Sequence, residues 1–393
     1  MAGQFGKFLG ELKQRHIFRV AIIYIVVAWV VIQAAALLEP ALHLPDWFDT
    51  TVDIALILGF APAMVIAWSA GPGLREAETP PRPDTAIAPE PSASEAAEGP
   101  KQAKAEGLAA RQKIKYCVAP DGARIAYAKL GNGPPVVKTA NWMSHLEFDL
   151  ATPRFQHWYV PLADDHTLVR YDERGCGLSD WTVKDISQEA FVQDLETVTD
   201  EIGIEKFALL GISQGCAVSI EYAVRHPDRV ACLILFGGFA CGQRRLGDPK
   251  LEQQFDAMKA MVGFHWGTDN PALRQYFTAL MFPDATPDEI AWYNELQRRS
   301  ASAENAARIL EAVSIMDVRP ILPQVKAPTL VIHAEHDMIA DFERGRSMAA
   351  SIPDARLVTL KSRNHILLQS DPAWTDCVQE VRDFLAEHWP GGA

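Results

Sequence analysis

One stretch of this chain leaves little freedom in how it can fold: Phe207-Ala-Leu-Leu runs without a break into Gly211-Ile-Ser-Gln-Gly215. A short apolar run bounded by glycine predicts a buried strand, and residues 216–225 carry a helical periodicity that stops before His226-Pro227. A serine between such a strand and such a helix has to sit on a very tight turn. Glycine at both ends leaves room for that turn, which lifts the Ser213 hydroxyl above the sheet and aims the helix N-terminus at negative charge forming beside it. The pentapeptide alone is common in loops; the strand before it and the helix after it give it meaning.

The surrounding sequence repeats the alternation. Beyond about residue 113, short β-like runs alternate with longer helical patterns, which predicts an α/β fold with a mostly parallel twisted sheet and helices on both faces. Residues 114–118 and 123–129 flank Pro120-Asp-Gly122 and read as a hairpin. Residues 135–140, 166–171, 230–236, 329–333 and 355–360 read as further strands. Residues from about 242 to 320 carry no strong strand pattern and read as helices inserted between two strands, a helical lid.

Serine is a weak nucleophile and needs a base that is itself oriented by an acid. Thr329-Leu-Val-Ile-His-Ala-Glu-His-Asp337 places an acid just past the end of a buried strand, and Ser362-Arg-Asn-His365 places a histidine a short loop beyond the last strand. Asp337 is therefore the expected orienting acid and His365 the expected base, in the order serine, acid, histidine. Glu335, nearer the strand, is the alternative acid. His333 and His336 precede the last strand and break that order; they also lack the third ligand and the acid of zinc-binding patterns.

These residues carry a resemblance. From about residue 114 to 389 the chain resembles the α/β-hydrolase superfamily. Tyr171-Asp-Glu-Arg-Gly-Cys-Gly-Leu-Ser179-Asp is similar to the Asp-x-Arg-Gly-x-Gly-x-Ser loop after that superfamily's fourth strand. There, glycines shape a turn, and Asp172 and Arg174 are expected to tie neighbouring loops by charge-assisted hydrogen bonds. One position departs from the pattern: in place of the usual His-Gly after the third strand stand Ala140-Asn141, followed by Trp142. An amide needs no particular side chain, so the backbone N–H groups of Trp142 and Gln214 are the expected oxyanion donors. The run Asn141-Trp-Met-Ser-His-Leu-Glu147 resembles a subgroup of these hydrolases linked to cyclase or regulator domains.

The resemblance implies acyl transfer to water, with a small acyl substrate, an ester or lactone of moderate size, and no cofactor or metal. A carbon–carbon bond hydrolase works with the same triad, whereas epoxide and haloalkane hydrolases carry aspartate where Ser213 stands. A sensor that binds ligand on this fold without turnover is the rival reading, disfavoured because a binding module has no need of the three residues together. The segment 255–292, rich in Phe, Met, Trp and Tyr, is expected mainly to pack helices, with some side chains lining an apolar pocket.

The N-terminal part is different in kind. Residues 20–38 carry no charge and are long enough to cross a bilayer core of roughly 30 Å as a helix. A second apolar run, about 52–70, follows a loop containing Pro40, Pro45, Glu39, Asp46 and Asp49. Lys7, Lys13, Arg15 and Arg19 precede the first run while the loop has no Lys or Arg, so the positive-inside rule puts the N-terminus in the cytoplasm and returns the chain there after two crossings. A signal peptide is the competing reading of the first run, although its apolar core is longer than usual. The second run, with Pro62, is alternatively buried or interfacial. Phe8-Leu-Gly-Glu-Leu-Lys-Gln-Arg-His-Ile-Phe-Arg-Val-Ala21, with Tyr24, Trp29 and Leu44-Pro-Asp-Trp47, resembles a bacterial membrane segment that heads proteins related to adenylate-cyclase and tetratricopeptide regulators. It implies an anchor in the lipid bilayer of the inner membrane, with a signalling association.

Residues 71–112, rich in Pro, Ala, Glu and Ser, cannot bury enough apolar surface to offset the entropy of ordering and read as a flexible linker. The expected organisation is thus an anchor over 1–70, a linker over 71–112 and a catalytic domain over 113–393. A net charge of −13 argues against a nucleic-acid partner, which needs a basic face. Six scattered cysteines, without C-x-x-C pairs, read as reduced thiols and favour a cytoplasmic position for the catalytic domain. Oligomeric state leaves no mark in the sequence.

Overall fold

Strand β1 (Lys113–Val118) and strand β2 (Arg124–Leu130) form the expected hairpin, paired antiparallel from Lys113 opposite Lys129 to Val118 opposite Arg124. The structure is a computed structural model that describes residues 112–390 except 152, together with Ala28, Thr51, Ala55, Leu56 and Phe60. The chain divides between Pro89 and Glu90 into two units, and the architecture below is that of the second. Apart from four of those single positions, the expected membrane hairpin over 20–38 and 52–70 lies outside the described residues, as does the linker up to residue 111. Among the described residues no helix is long and apolar enough to cross a membrane.

The sheet continues through β3 (Pro135–Lys138), β4 (Thr167–Tyr171), β5 (Phe207–Ile212), β6 (Val230–Phe236), β7 (Thr329–Ala334) and β8 (Ala355–Leu360). Its order is β1-β2-β4-β3-β5-β6-β7-β8, antiparallel across β2 and β4 and parallel from β4 to β8. Every position of β5 and β7 is buried. Parallel strands covered on both faces have no polar side to show, which is why both read as continuous apolar runs. β3 ends at Lys138, two residues earlier than the sequence suggests, because the chain leaves the sheet there; Thr139 still bonds through its amide to Leu210 O at 2.9 Å.

Helices α1 (Leu146–Ala151), α2 (Pro153–Ala163), α3 (Gln188–Glu201) and α4 (Gly215–Arg225) connect the first six strands, and α9 (Phe342–Ser351) and α10 (Trp374–His388) follow β7 and β8. Between β6 and β7 lies the helical insertion: a short 3-10 turn (Gln243–Arg245), α5 (Pro249–His265), α6 (Ala272–Met281), α7 (Pro287–Ser300) and α8 (Ala303–Ile315). Its helix starts are written locally. Asp248 caps α5 ahead of Pro249, Thr286 and Glu289 form a reciprocal capping box on α7 around Pro287, and Ser302 caps α8.

Between β3 and β4 the chain steps to one side, and between β4 and β5 it crosses back over β3. That reversal opens a crevice at the carboxyl ends of β3 and β5, the place where open α/β sheets bind ligands. The loop after β3 and the turn after β5 are the two expected to carry the oxyanion amides and the serine.

Candidate active site

Ser213 leaves β5 with φ of 55°, in the left-handed region that a residue with a side chain adopts at a cost. Hydrogen bonds on both sides hold it there: its amide donates to Phe236 O at 2.9 Å and its carbonyl accepts from the Cys216 amide at 3.0 Å. The flanking glycines are required by space. A Cβ at Gly211 would stand 2.8 Å from Cys216 Cα, and one at Gly215 would stand 3.0 Å from Ala140 O.

His365 is fully buried, with Nε2 2.9 Å from Ser213 Oγ and Nδ1 2.6 Å from Asp337 Oδ2. The three residues singled out in the sequence are therefore in hydrogen-bonding contact. Asp337 Oδ1 accepts from the amides of Ile339 and Ala340 at 2.8 and 2.9 Å. Burial alone would raise this carboxyl, but the His365 imidazole and those two amides outweigh it and hold it below the ordinary carboxylate range. Glu335 and His336 are exposed, so Asp337 rather than Glu335 meets the imidazole.

His333 lies 3.5 Å from Asp337, and burial lowers its tendency to protonate. Its Nε2 sits 2.7 Å from Ala340 O, which makes that nitrogen the donor and steadies the loop whose amides hold Asp337. The His365 loop is fixed in a similar way. Ser362 Oγ and Asn364 Nδ2 both donate to Asp371 Oδ2, at 2.6 and 2.8 Å, and the His365 amide donates to Met281 O at the end of α6.

On the other side of the serine, the loop Ala140-Asn141-Trp142 is buried. Among the described residues the amides of Trp142 and Gln214 take part in none of the loop and cap hydrogen bonds. Further along the loop Met143 takes φ of 58°, and Lys138 Nζ reaches over to donate to Asn141 Oδ1 and Thr139 O. Burial of that lysine brings it down to about 8, with Asp149 the strongest of the charges opposing the shift. The loop after β4 behaves as its pattern suggests: Asp172 Oδ2 accepts from the amides of Leu146 and Leu178, and Arg174 pairs with Asp121 at 2.7 Å and Asp194 at 2.6 Å.

The aromatic residues of the insertion pack mostly against one another and against the loop after β3. Trp142 stacks on Phe277 with centroids 5.9 Å apart and meets Trp266 edge-on at 5.4 Å. Ser213 is only 4% exposed, and a cleft of about 590 Å³ lined by Ile186, Lys259, Arg308 and Met316 among others does not include it.

The family model for the alpha/beta hydrolase fold matches residues 153–372, more than half of the chain. The chain belongs to the α/β-hydrolase family. This hydrolase is 28% identical over 204 residues to the 2-hydroxy-6-oxo-6-phenylhexa-2,4-dienoate hydrolase of Burkholderia cepacia, an alignment covering 50% of this chain and 69% of that protein. Its fold is similar to that of the esterase EaEST from Exiguobacterium antarcticum, with a TM-score of 0.60 and 22% identity over 70% of this chain and 98% of that one. It is also similar to the enol-lactonase from Burkholderia xenovorans LB400, with a TM-score of 0.59 and 23% identity over 69% of this chain and all of that one, 100%.

Sequence reasoning passed over Lys138, Glu173, Asn364 and Asp371 in this hydrolase. A signal existed for two of them: Lys138 is a charge directly after Val136-Val137, and Glu173 stands between two residues already singled out. Nothing in the local pattern ties Asp371 to the histidine loop.

Proposed function

We propose that this hydrolase cleaves an ester or lactone, transferring the acyl group first to Ser213 and then to water. The observation that carries the reading is the imidazole of His365 lying between Ser213 Oγ and Asp337 Oδ2 at 2.9 and 2.6 Å. In the proposed cycle His365 Nε2 takes the Ser213 proton as Oγ attacks the carbonyl carbon, and Asp337 stabilises the imidazolium. The amides of Trp142 and Gln214 receive the oxyanion. His365 returns the proton to the leaving alkoxide, then takes one from the water that cleaves the acyl-enzyme, and Ser213 recovers its proton as the acid departs.

Carbon–carbon bond hydrolysis on the same three residues is the second reading, favoured by the 28% identity to a dienoate hydrolase. Labelling of the full chain in detergent with a fluorophosphonate tests the common core of both. Wild type is expected to label and Ser213→Ala to remain unlabelled; an unlabelled wild type, or equal labelling of the variant, removes the serine from the mechanism. Turnover of p-nitrophenyl esters and lactones against 2-hydroxy-6-oxo-dienoates then separates the two substrate classes.

We also propose that the chain is held at the inner membrane by residues 20–38 and 52–70, with the hydrolase on the cytoplasmic side. Support comes from the uncharged first run and from Lys7, Lys13, Arg15 and Arg19 ahead of it.

A further inference from the structure

Glu173 is the buried acid next to the serine turn that the proposed cycle leaves unused. It follows β4, is 2% exposed, and directs its carboxyl at the residue after the nucleophile: Gln214 Nε2 donates to Glu173 Oε1 at 2.9 Å. Its other oxygen, Oε2, is buried and has no hydrogen-bond partner among the described residues. Its amide donates to Ser144 Oγ at 3.3 Å, in the loop that carries Trp142. Because the sheet order is β4-β3-β5, this single residue reaches from the end of β4 past the β3 loop to the turn after β5. Both amides proposed to receive the oxyanion lie beside its points of attachment.

We infer that Glu173 is a positioning residue of the oxyanion site, fixing the Gln214 turn through its side chain and presenting no negative charge where the oxyanion forms. The inference rests on the serine-hydrolase reading. A hydrogen bond from the Gln214 amide group leaves Oε2 as the oxygen that carries the proton of the neutral acid. Burial is the main reason the acid stays neutral: it pushes the carboxyl up to about 8, with Asp194 adding to the shift and the Gln214 bond, Lys138 and Arg174 opposing it.

Above that value a carboxylate would stand beside the forming oxyanion in a low-dielectric interior, and like charges there raise the energy of the tetrahedral intermediate. The charges facing Glu173 are Lys138 from β3, Asp194 from α3 and Arg174 from its own loop, together with the Cys176 thiol and the Tyr171 phenol, which burial keeps protonated. Lys138, faced in turn by Asp149, Arg170, Asp172 and Glu173, is brought down to about 8 and loses its positive charge in the same window. Both changes weaken the oxyanion site as pH rises.

The test is steady-state hydrolysis of p-nitrophenyl butyrate by the full chain in detergent, between about pH 6 and about pH 9.5, with Ser213→Ala as the blank. Wild-type kcat is expected to fall above about pH 8, following the Glu173 carboxyl. Glu173→Ala is expected to lose about tenfold in kcat at neutral pH with KM within about twofold, since the loss falls on the transition state. Glu173→Gln, neutral and nearly isosteric, should recover most of that loss and flatten the alkaline decline to the part Lys138 contributes. Gln214→Met, which keeps the amide and removes the side-chain donor, should match Glu173→Ala.

Wild-type turnover no greater than that of Ser213→Ala overturns the serine-hydrolase reading and this inference with it. Ser213-dependent turnover whose alkaline decline is the same in Glu173→Gln, or whose kcat is unchanged in both Glu173→Ala and Gln214→Met, leaves the enzyme standing and overturns the role of Glu173. If the Glu173 variants fail to fold, a wild type with no alkaline decline or a Gln214→Met with unchanged kcat overturns it alone.

Discussion

Asp337 answers to two demands at the scale of a single side chain. One oxygen faces the His365 imidazole and the other takes two backbone amides, so the carboxylate is held in one orientation and held ionised despite its burial. On the proposed mechanism, Asp337→Asn would keep the shape but present the wrong hydrogen-bond partner to Nδ1, and kcat is expected to fall about 10⁴-fold. The same contacts set a pH dependence of stability. A carboxyl whose folded value lies below its unfolded value of about 3.9 stabilises the fold above that pH and loses the contribution as pH falls through the folded value. Thermal melts of wild type and Asp337→Asn should therefore differ by a constant amount near neutrality and converge below about pH 4; a difference that persists in acid counts against the depressed carboxyl. Asp337 and His365 were legible in the sequence because each follows a strand at a loop's distance. Asp337 was preferred to Glu335 there, and two residues along that turn separate a buried side chain from an exposed one.

Elements are tied together here by a few buried charges. Arg174, with no exposed side-chain surface, bridges Asp121 in the turn between β1 and β2 and Asp194 on α3. Asp194 is itself buried and is pushed up to about 6 by that burial, against the pull of Arg174. Arg174→Ala leaves this carboxylate without a counter-charge, and loss of about 3–5 kcal/mol is expected in urea unfolding. Arg124, paired with Asp180 but 67% exposed, is the contrast: Arg124→Ala should leave the unfolding midpoint nearly unchanged. Equal effects of the two substitutions would mean that burial does not govern these pairs. The helix starts of the insertion are local, because Asp248-Pro249 and Thr286-Pro-Asp-Glu289 satisfy the first amides with neighbouring residues. The early end of β3 was not legible: Thr139 and Ala140 are as apolar or β-prone as a strand requires, yet the pairing ends at Lys138.

For the whole chain, the proposed two-span anchor makes a statement about which side of the membrane holds Ser213. Reporter fusions after Gly107 check it: green fluorescent protein is expected to fluoresce and alkaline phosphatase to stay inactive, and strong phosphatase activity would reverse the orientation. The six cysteines are all free and buried. What the sequence by itself determined is the part encoded by neighbours along the chain. Short apolar runs specified the strands, helical periodicity marked the helices between them, and Gly211-Ile-Ser-Gln-Gly215 specified the turn. These are local because backbone hydrogen bonding and steric room at a turn are decided within a few residues. The tertiary structure decided what depends on residues far apart. It brought Ser213, Asp337 and His365 within hydrogen-bonding distance, closed Trp266 and Phe277 over Trp142, and buried Lys138 and Glu173 beside the serine turn. Burial of a charge is a property of the space around it, and no spacing along a chain states how much water that space will hold.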